Sequence, residues 1–279
     1  MREIDVSLIE NTVYELFLSA CCEIGEDVLS LLRANLEKEE SPFGCEVLRQ
    51  LISNDELAAQ KKMPICQDTG MAVLFMEIGQ EVHLTGGDIN EAINRGVRRA
   101  YRDGYFRASV LSPLERINTR DNTPAIVHMR IVPGDRISIT AAPKGFGSEN
   151  MSRLWMLTPS QGIEGVKNAI VETVRLAGGN PCPPVVVGVG IGGTAECAML
   201  MAKHSLTRDC GQPSADPMLA SMEKELLERI NRLGIGPQGL GGTTTALAVH
   251  IEQMPTHIAG HPVAVNMQCH AARHKSAII

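Results

Sequence analysis

The chain has 279 residues, of which 44% are hydrophobic, 21% are charged and only 3% are aromatic. This composition predicts a globular protein with an aliphatic core, and it leaves few rings for the stacking platforms that bind single-stranded nucleic acid. The formal net charge of -6 argues further against a protein whose affinity for nucleic acid or an anionic membrane comes from a general excess of basic residues.

The amino-terminal part of the chain is predicted to be mainly helical. Apolar residues recur at three- and four-residue intervals, which predicts helices over residues 4 to 37, 44 to 60 and 88 to 101. Between the second and third of these, residues 63 to 70 contain a proline and a glycine, and the strand-like residues 71 to 76 follow. Cys66 therefore lies in a loop that enters a strand.

A β-hairpin is predicted next. Residues 125 to 132 and 136 to 140 both alternate between apolar and polar side chains, and Pro133 and Gly134 supply a turn between them.

The second half of the chain alternates helices with buried strands. Helices are predicted over residues 163 to 176, 194 to 205 and 216 to 234, and a short buried strand that runs into a glycine turn over residues 185 to 193. An apolar stretch over residues 246 to 251 and a terminal segment over residues 262 to 270 follow a glycine-rich loop. The third helix has Asp216 as its N-cap and Pro217 at its first position. No internal repeat, low-complexity tract or linker is evident, which favours one domain over residues 1 to 279.

A glycine motif after a buried strand allows two interpretations. Gly188, Gly190 and Gly193 match the G-x-G-x-x-G pattern of dinucleotide-binding proteins, and Asp209 follows at about the 20-residue spacing of the ribose-binding acid. The residues before Asp209 do not form a strand-like apolar run, however. A tight strand-to-helix connection with close backbone packing is the favoured interpretation.

The chain contains eight cysteines. The first residues show no uninterrupted apolar run followed by a small-residue cleavage site, so we do not expect secretion, and no stretch approaches the roughly 18 apolar residues of a membrane span. We therefore expect a cytoplasmic protein whose cysteines are thiols. Cys66, Cys182 and Cys269 lie in polar or proline-rich loops, where a ligand can reach them. The other five are expected to serve packing or to have no role: Cys21, Cys22, Cys45, Cys197 and Cys210.

Several motifs, in the same order along nearly the whole chain, resemble the α-type catalytic part of class I fumarate hydratases and L(+)-tartrate dehydratases. They are Cys66-Gln-Asp-Thr-Gly70, Lys144-Gly-Phe-Gly-Ser148, Cys182-Pro-Pro184 with Gly192-Gly193, Asn231-Arg-Leu-Gly-Ile-Gly-Pro-Gln238, and Cys269. The resemblance implies an α/β fold with mixed sheets surrounded by helices, in a single hydro-lyase domain. It also implies a [4Fe-4S] cluster held by Cys66, Cys182 and Cys269, with one iron that lacks a protein ligand.

The resemblance also implies roles for five further residues. Asp68 and His257 are expected to be catalytic, and Gln67, Arg107 and Gly147 to bind a small dicarboxylate substrate. Three of them have a plainer alternative: Asp68 as a turn-forming residue, Arg107 as a surface charge and His257 as a structural histidine.

The most favoured function is that of a fumarate hydratase, which interconverts fumarate and (S)-malate, and L(+)-tartrate dehydratase is the nearest alternative. Single-chain members of the family continue into a β-type part, whereas this sequence ends at Ile279. We therefore expect a separate β subunit, a hetero-oligomer resembling α₂β₂, and little activity from the isolated chain. An NAD-dependent oxidoreductase and a non-catalytic iron–sulfur carrier are the remaining alternatives.

Overall fold

The computed structural model describes residues 1–279 and has the α/β architecture with mixed sheets that the sequence predicts. Its helices are α1 (Val6–Cys22), α2 (Glu26–Leu36), α3 (Pro42–Lys61), α4 (Ile89–Asp103), α5 (Phe146–Glu149), α6 (Gly162–Ala177), α7 (Ala195–Ser205) and α8 (Pro217–Asn231). Its strands are β1 (Arg2–Asp5), β2 (Met71–Gly79), β3 (Val82–Thr85), β4 (Ile126–Val132), β5 (Ile137–Lys144), β6 (Arg153–Leu157), β7 (Val185–Gly192), β8 (Ala246–Met254), β9 (His261–Gln268) and β10 (Lys275–Ile278).

The chain divides into two compact units. The first unit comprises Met1–Ile24, Asp55–Phe146 and Arg273–Ile279, and the second comprises Gly25–Asn54 and Gly147–Ala272. No helix combines the length and the hydropathy that a membrane crossing requires.

The first unit is built on a four-stranded sheet with the order β10-β5-β2-β4. Strand β2 pairs in parallel with β4 and antiparallel with β5, so the sheet is mixed. Helices α1 and α4 bury apolar side chains together with β2 and β5, and Phe17, Leu74, Ile93 and Ile139 are fully buried there. This core fixes the start of β2, where the Cys66 loop enters the sheet.

The predicted hairpin is wrong, because strand β2 lies between β4 and β5. Residue Phe75 of β2 pairs with His128 on one side and with Thr140 on the other. The alternating pattern identified both strands correctly. It could not identify their partner, because the same alternation suits any neighbour in a half-buried sheet.

The predicted helix over residues 4 to 37 is also wrong as a single element. Strand β1 precedes α1, and the Asp5 carboxylate caps α1 by accepting the Ser7 N–H at 2.8 Å. A break at residues 23–25 then separates α1 from α2, and Gly25 has the extended backbone of an N-cap. The apolar periodicity continues on both sides of this break, which explains why the pattern predicted one helix.

The second unit has a four-stranded mixed sheet with the order β6-β9-β7-β8 and helices on both faces. Val185, Val187 and Val189 of β7 pack with apolar residues of α6 and α8 in one cluster. Helix α7 covers the opposite face, where Ala198 and Ala202 pack against Ala264. Asp216 caps α8 by accepting the N–H of Met218 at 2.8 Å, as the sequence predicts.

Two glycines of the G-x-G-x-x-G pattern lie where helix α7 packs closely against strand β7. Gly188 and Gly190 are inside β7, and a Cβ atom at either position would lie 2.1 or 2.0 Å from a carbonyl oxygen of α7. Only glycine allows the helix to approach the strand so closely. These two residues therefore serve helix–strand packing, which was the favoured interpretation.

Candidate functional site

Cys182 and Cys269 lie in neighbouring loops at one edge of the sheet of the second unit. Cys182 shortly precedes β7, and Cys269 directly follows β9. The two strands are antiparallel, with Val186 opposite Gln268, so the start of β7 meets the end of β9. The backbone N–H of His270 donates to the carbonyl oxygen of Cys182 at 3.3 Å. The structure thus brings these two predicted ligands to the same place.

The Cys182 loop is held in a strained conformation by a residue that the sequence analysis gave no role. Cys182 has a φ of 57°, in the left-handed region that non-glycine residues rarely adopt. The backbone N–H of Gln238 and its side-chain Nε2 donate to the carbonyl oxygen of Pro183 at 2.7 and 2.9 Å. Gln238 itself has a φ of 53°. Its place in a glycine-rich motif was a signal, but the motif did not reveal the partner.

In the first unit, Asp68 organises the loop that carries Cys66. Its Oδ1 accepts the N–H of Gly70 at 3.0 Å and its Oδ2 accepts the N–H of Phe146 at 2.8 Å. The backbone N–H of Asp68 lies 3.4 Å from the Cys66 Sγ. Asp68 therefore forms the turn that was its alternative role, and it links the Cys66 loop to the end of β5.

Two predicted substrate-binding side chains lie beside this loop. Gln67 is exposed, and the Cys66 thiol donates to its Oε1 at 3.3 Å. The Arg107 N–H donates to the Thr69 Oγ1 at 3.0 Å, while the Arg107 guanidinium is exposed and forms no ion pair. Cys66, Gln67, Asp68 and Arg107 are thus brought together, and the free guanidinium can bind a carboxylate.

Gly147 and His257, both in the second unit, lie in different surroundings. A Cβ atom on Gly147 would be 3.8 Å from the carbonyl oxygen of Asn180, so this exposed glycine lies beside the Cys182 loop. His257 follows β8, which runs parallel to β7, whereas Cys182 precedes β7. The two residues therefore lie at opposite ends of the sheet, separated by about 26 Å for the eight residues of β7. The structure does not bring His257 to the cysteine end.

The three candidate ligands differ from the buried cysteines. Cys182 is exposed and Cys66 and Cys269 are half-buried, whereas Cys21, Cys22 and Cys210 are buried. Cys45 and Cys197 are half-buried as well, so exposure alone does not distinguish the candidate ligands from all of the other cysteines. Burial raises the pKa of Cys21 to about 12 and also raises the pKa values of Cys22 and Cys210, which keeps those thiols protonated.

Neither unit contains a group of three or more His, Cys, Asp or Glu side chains that could hold a single metal ion. Accessible cysteine side chains in loops instead suit an iron–sulfur cluster, in which each iron is bound by one cysteine sulfur. The residues present therefore fit the group that the resemblance implies.

The family model described as fumarate hydratase (Fumerase) matches residues 10–278. The chain belongs to this fumarate hydratase family. Members of the family are hydro-lyases, so the chain is an enzyme of the hydro-lyase class.

The names of similar proteins refer to L(+)-tartrate, whereas the family model is described by fumarate. A protein of Methanocaldococcus jannaschii, provisionally named L(+)-tartrate dehydratase subunit alpha, is 45% identical over 95% of this chain and 95% of its own length. The L(+)-tartrate dehydratase subunit alpha of Escherichia coli O157:H7 is 33% identical over 91% of this chain and 85% of its own length. The protein of the same name from Escherichia coli K12 is 31% identical over the same shares.

Proposed function

We propose that this family member is the α subunit of an iron–sulfur hydro-lyase that acts on a four-carbon 2-hydroxy dicarboxylate. Cys66, Cys182 and Cys269 are the proposed cluster ligands. The observation that carries the proposal is the meeting of the Cys182 and Cys269 loops, joined by the His270 hydrogen bond at 3.3 Å. Residues 1 to 279 are proposed to act as one functional domain, since the family model spans residues 10–278.

A bound [4Fe-4S] cluster with three thiolate ligands would supply a Lewis-acidic iron for the substrate hydroxyl. The chain's own residues would bind and orient the substrate. The exposed Arg107 guanidinium would hold a carboxylate through two parallel hydrogen bonds, and the Gln67 amide, beside Cys66, would contact the same substrate. Asp68 would hold the backbone that carries these groups in place, because both of its carboxylate oxygens already accept hydrogen bonds from backbone N–H groups.

Gly147 supports the proposal through its place beside the Cys182 loop, where an exposed backbone without a side chain lets an anion approach closely. For His257 we keep a role in the reaction as a proposal from the resemblance. His257 follows β8, at the end of the sheet away from Cys182.

Two substrates are candidates, each with its own support. The sequence motifs favour fumarate and (S)-malate, and the matching family model is described as fumarate hydratase. The names of the relatives, at 31% to 45% identity, favour L(+)-tartrate. (S)-malate and L(+)-tartrate both present two carboxylates and a 2-hydroxyl group, and the tartrate carries one more hydroxyl. Discrimination therefore depends on whether a polar group in the pocket receives that hydroxyl.

We further propose a separate β-type partner, in keeping with the words "subunit alpha" in the names of the relatives. The test is co-expression with a candidate β chain under anaerobic conditions, followed by parallel assays with (S)-malate and L(+)-tartrate. We expect dehydration of one of them by the complex and little turnover by the reconstituted α chain alone. Robust turnover by the α chain alone would contradict the two-subunit proposal.

The cluster ligands can be tested separately from the substrate. Serine substitution at Cys66, Cys182 or Cys269 should abolish the brown colour and lower the iron content of the anaerobically reconstituted chain. Cys197→Ser is the matched control, since Cys197 is half-buried and has no proposed ligand role. Normal iron content in all three ligand variants would refute the assignment.

A further inference from the structure

Three consecutive carbonyl groups behind Cys66 each accept a hydrogen bond from a buried side chain of the first unit. Arg273 Nη2 donates to the carbonyl oxygen of Asp68. The Tyr101 hydroxyl lies 2.8 Å from the Thr69 oxygen and 3.0 Å from the Gly70 oxygen, and its one proton is shared between them. Asn122 Nδ2 donates to the same Gly70 oxygen at 3.1 Å. Every carbonyl from residue 68 to residue 70 is thereby fixed.

The three donors come from separate parts of the chain and are almost completely buried. Tyr101 lies on α4, Asn122 precedes β4, and Arg273 lies between β9 and β10, with exposed fractions of 3%, 0% and 3%. Burying such polar groups costs free energy unless each finds a hydrogen-bond partner. The hydrogen bonds to residues 68 to 70 offset part of that cost.

Asn122 connects the Cys66 loop to the segment that carries Arg107. While its Nδ2 donates to Gly70, its Oδ1 accepts the N–H groups of Ser109 and Val110 at 2.8 and 3.2 Å. One buried amide therefore sets the distance between the backbone next to Cys66 and the backbone next to Arg107.

We propose that Tyr101, Asn122 and Arg273 are positioning residues that fix the backbone of residues 66 to 70, and with it the direction of the Cys66 thiol. Fixing the Asp68 main chain also fixes the N–H that lies 3.4 Å from the Cys66 Sγ. That Cys66 binds an iron–sulfur cluster rests on the proposed function. The ordering of the loop rests only on the hydrogen bonds described above.

The test measures this ordering directly, by iodoacetamide labelling of the metal-free full-length chain at one fixed pH. Peptide mass spectrometry separates the labelling rate of Cys66 from that of Cys182. The variants are Tyr101→Phe, Asn122→Asp, which keeps the shape but loses the amide donor, and Arg273→Lys, which keeps the charge. Tyr105→Phe is the matched control, because Tyr105 is 93% exposed.

We expect Cys66 to be labelled about fivefold faster in each variant, which corresponds to about 1 kcal/mol for one lost hydrogen bond. The rate at Cys182 should stay unchanged, and the control should match the wild type. A general loss of stability would accelerate both thiols, so equal acceleration would overturn the proposal, as would an unchanged Cys66 rate in folded variants. If one variant fails to fold, the other two conservative changes decide.

A second measurement uses the reconstituted chain. The variants should lose iron to a chelator faster than the wild type, and the electron paramagnetic resonance spectrum of their reduced cluster should shift. A wild type that takes up no cluster would refute the proposed function, while the labelling result would still decide whether the three residues order the loop.

Discussion

Replacing Gln238 by alanine and by glycine separates two effects that the structure combines at one position. The Gln238 side chain donates one of two hydrogen bonds to the Pro183 oxygen, at 2.9 Å, and its backbone N–H donates the other, at 2.7 Å. Both substitutions remove the first bond and keep the second. They differ in the backbone, because the φ of 53° is strained for alanine and not for glycine.

The magnitudes follow from these two contributions. Loss of the side-chain hydrogen bond should lower the free energy of unfolding by about 1 kcal/mol in the alanine variant. Relief of left-handed strain, about 1–2 kcal/mol, exceeds the extra backbone entropy of glycine, about 0.5–1 kcal/mol. The glycine variant should therefore be about 1 kcal/mol more stable than the alanine variant, and close to the wild type.

Urea unfolding of the full chain measures the stabilities, and iodoacetamide labelling of Cys182 measures how firmly its loop is held. Both variants should label Cys182 about fivefold faster than the wild type does, since both lose the same side-chain bond. An alanine variant as stable as the glycine variant would show that the φ of Gln238 carries no strain. Unchanged labelling in both would show that the side chain does not hold the Cys182 loop.

Three further predictions concern other parts of the chain. Burial lowers the pKa of His250 to about 4, so the free energy of unfolding of the wild type should fall by up to about 3 kcal/mol as the pH falls from about 6.5 to 4. In urea unfolding at pH 7.5 and 5, His250→Gln should lose less of this free energy than the wild type does. Gly190→Ala would place a Cβ atom 2.0 Å from a carbonyl oxygen of α7, and we expect a loss of about 3 kcal/mol in the same assay. Arg107→Met should raise the KM for the dicarboxylate by about 10-fold or more with a smaller change in kcat, measured on a complex with the proposed β subunit. An unchanged KM would exclude a carboxylate contact.

Local sequence patterns predicted most of the individual elements, because each has a local physical cause. The N-cap of α8 followed from Asp216 and Pro217, since a side-chain carboxylate and a proline act within one helical turn. Helix α4 followed from its apolar periodicity. Where two elements met without a change of pattern, as α1 and α2 do around Gly25, the same reasoning failed.

The candidate site was found by motif, and its geometry was not. The sequence indicated Cys66, Cys182 and Cys269, but the meeting of Cys182 with Cys269 depends on the antiparallel pairing of β7 with β9. The sequence also could not indicate that His257 lies at the other end of that sheet, because the relative direction of paired strands depends on the whole fold.

The sequence by itself determined the family, the α/β class, the loop positions of the candidate cysteines and the packing role of the glycines in β7. Only the tertiary structure decided that β2 separates β4 from β5, and that Tyr101, Asn122, Arg273 and Gln238 hold the loops of the site. The reason is physical: periodicity and capping act over a few neighbouring residues, whereas these hydrogen bonds join residues from 31 to 205 positions apart.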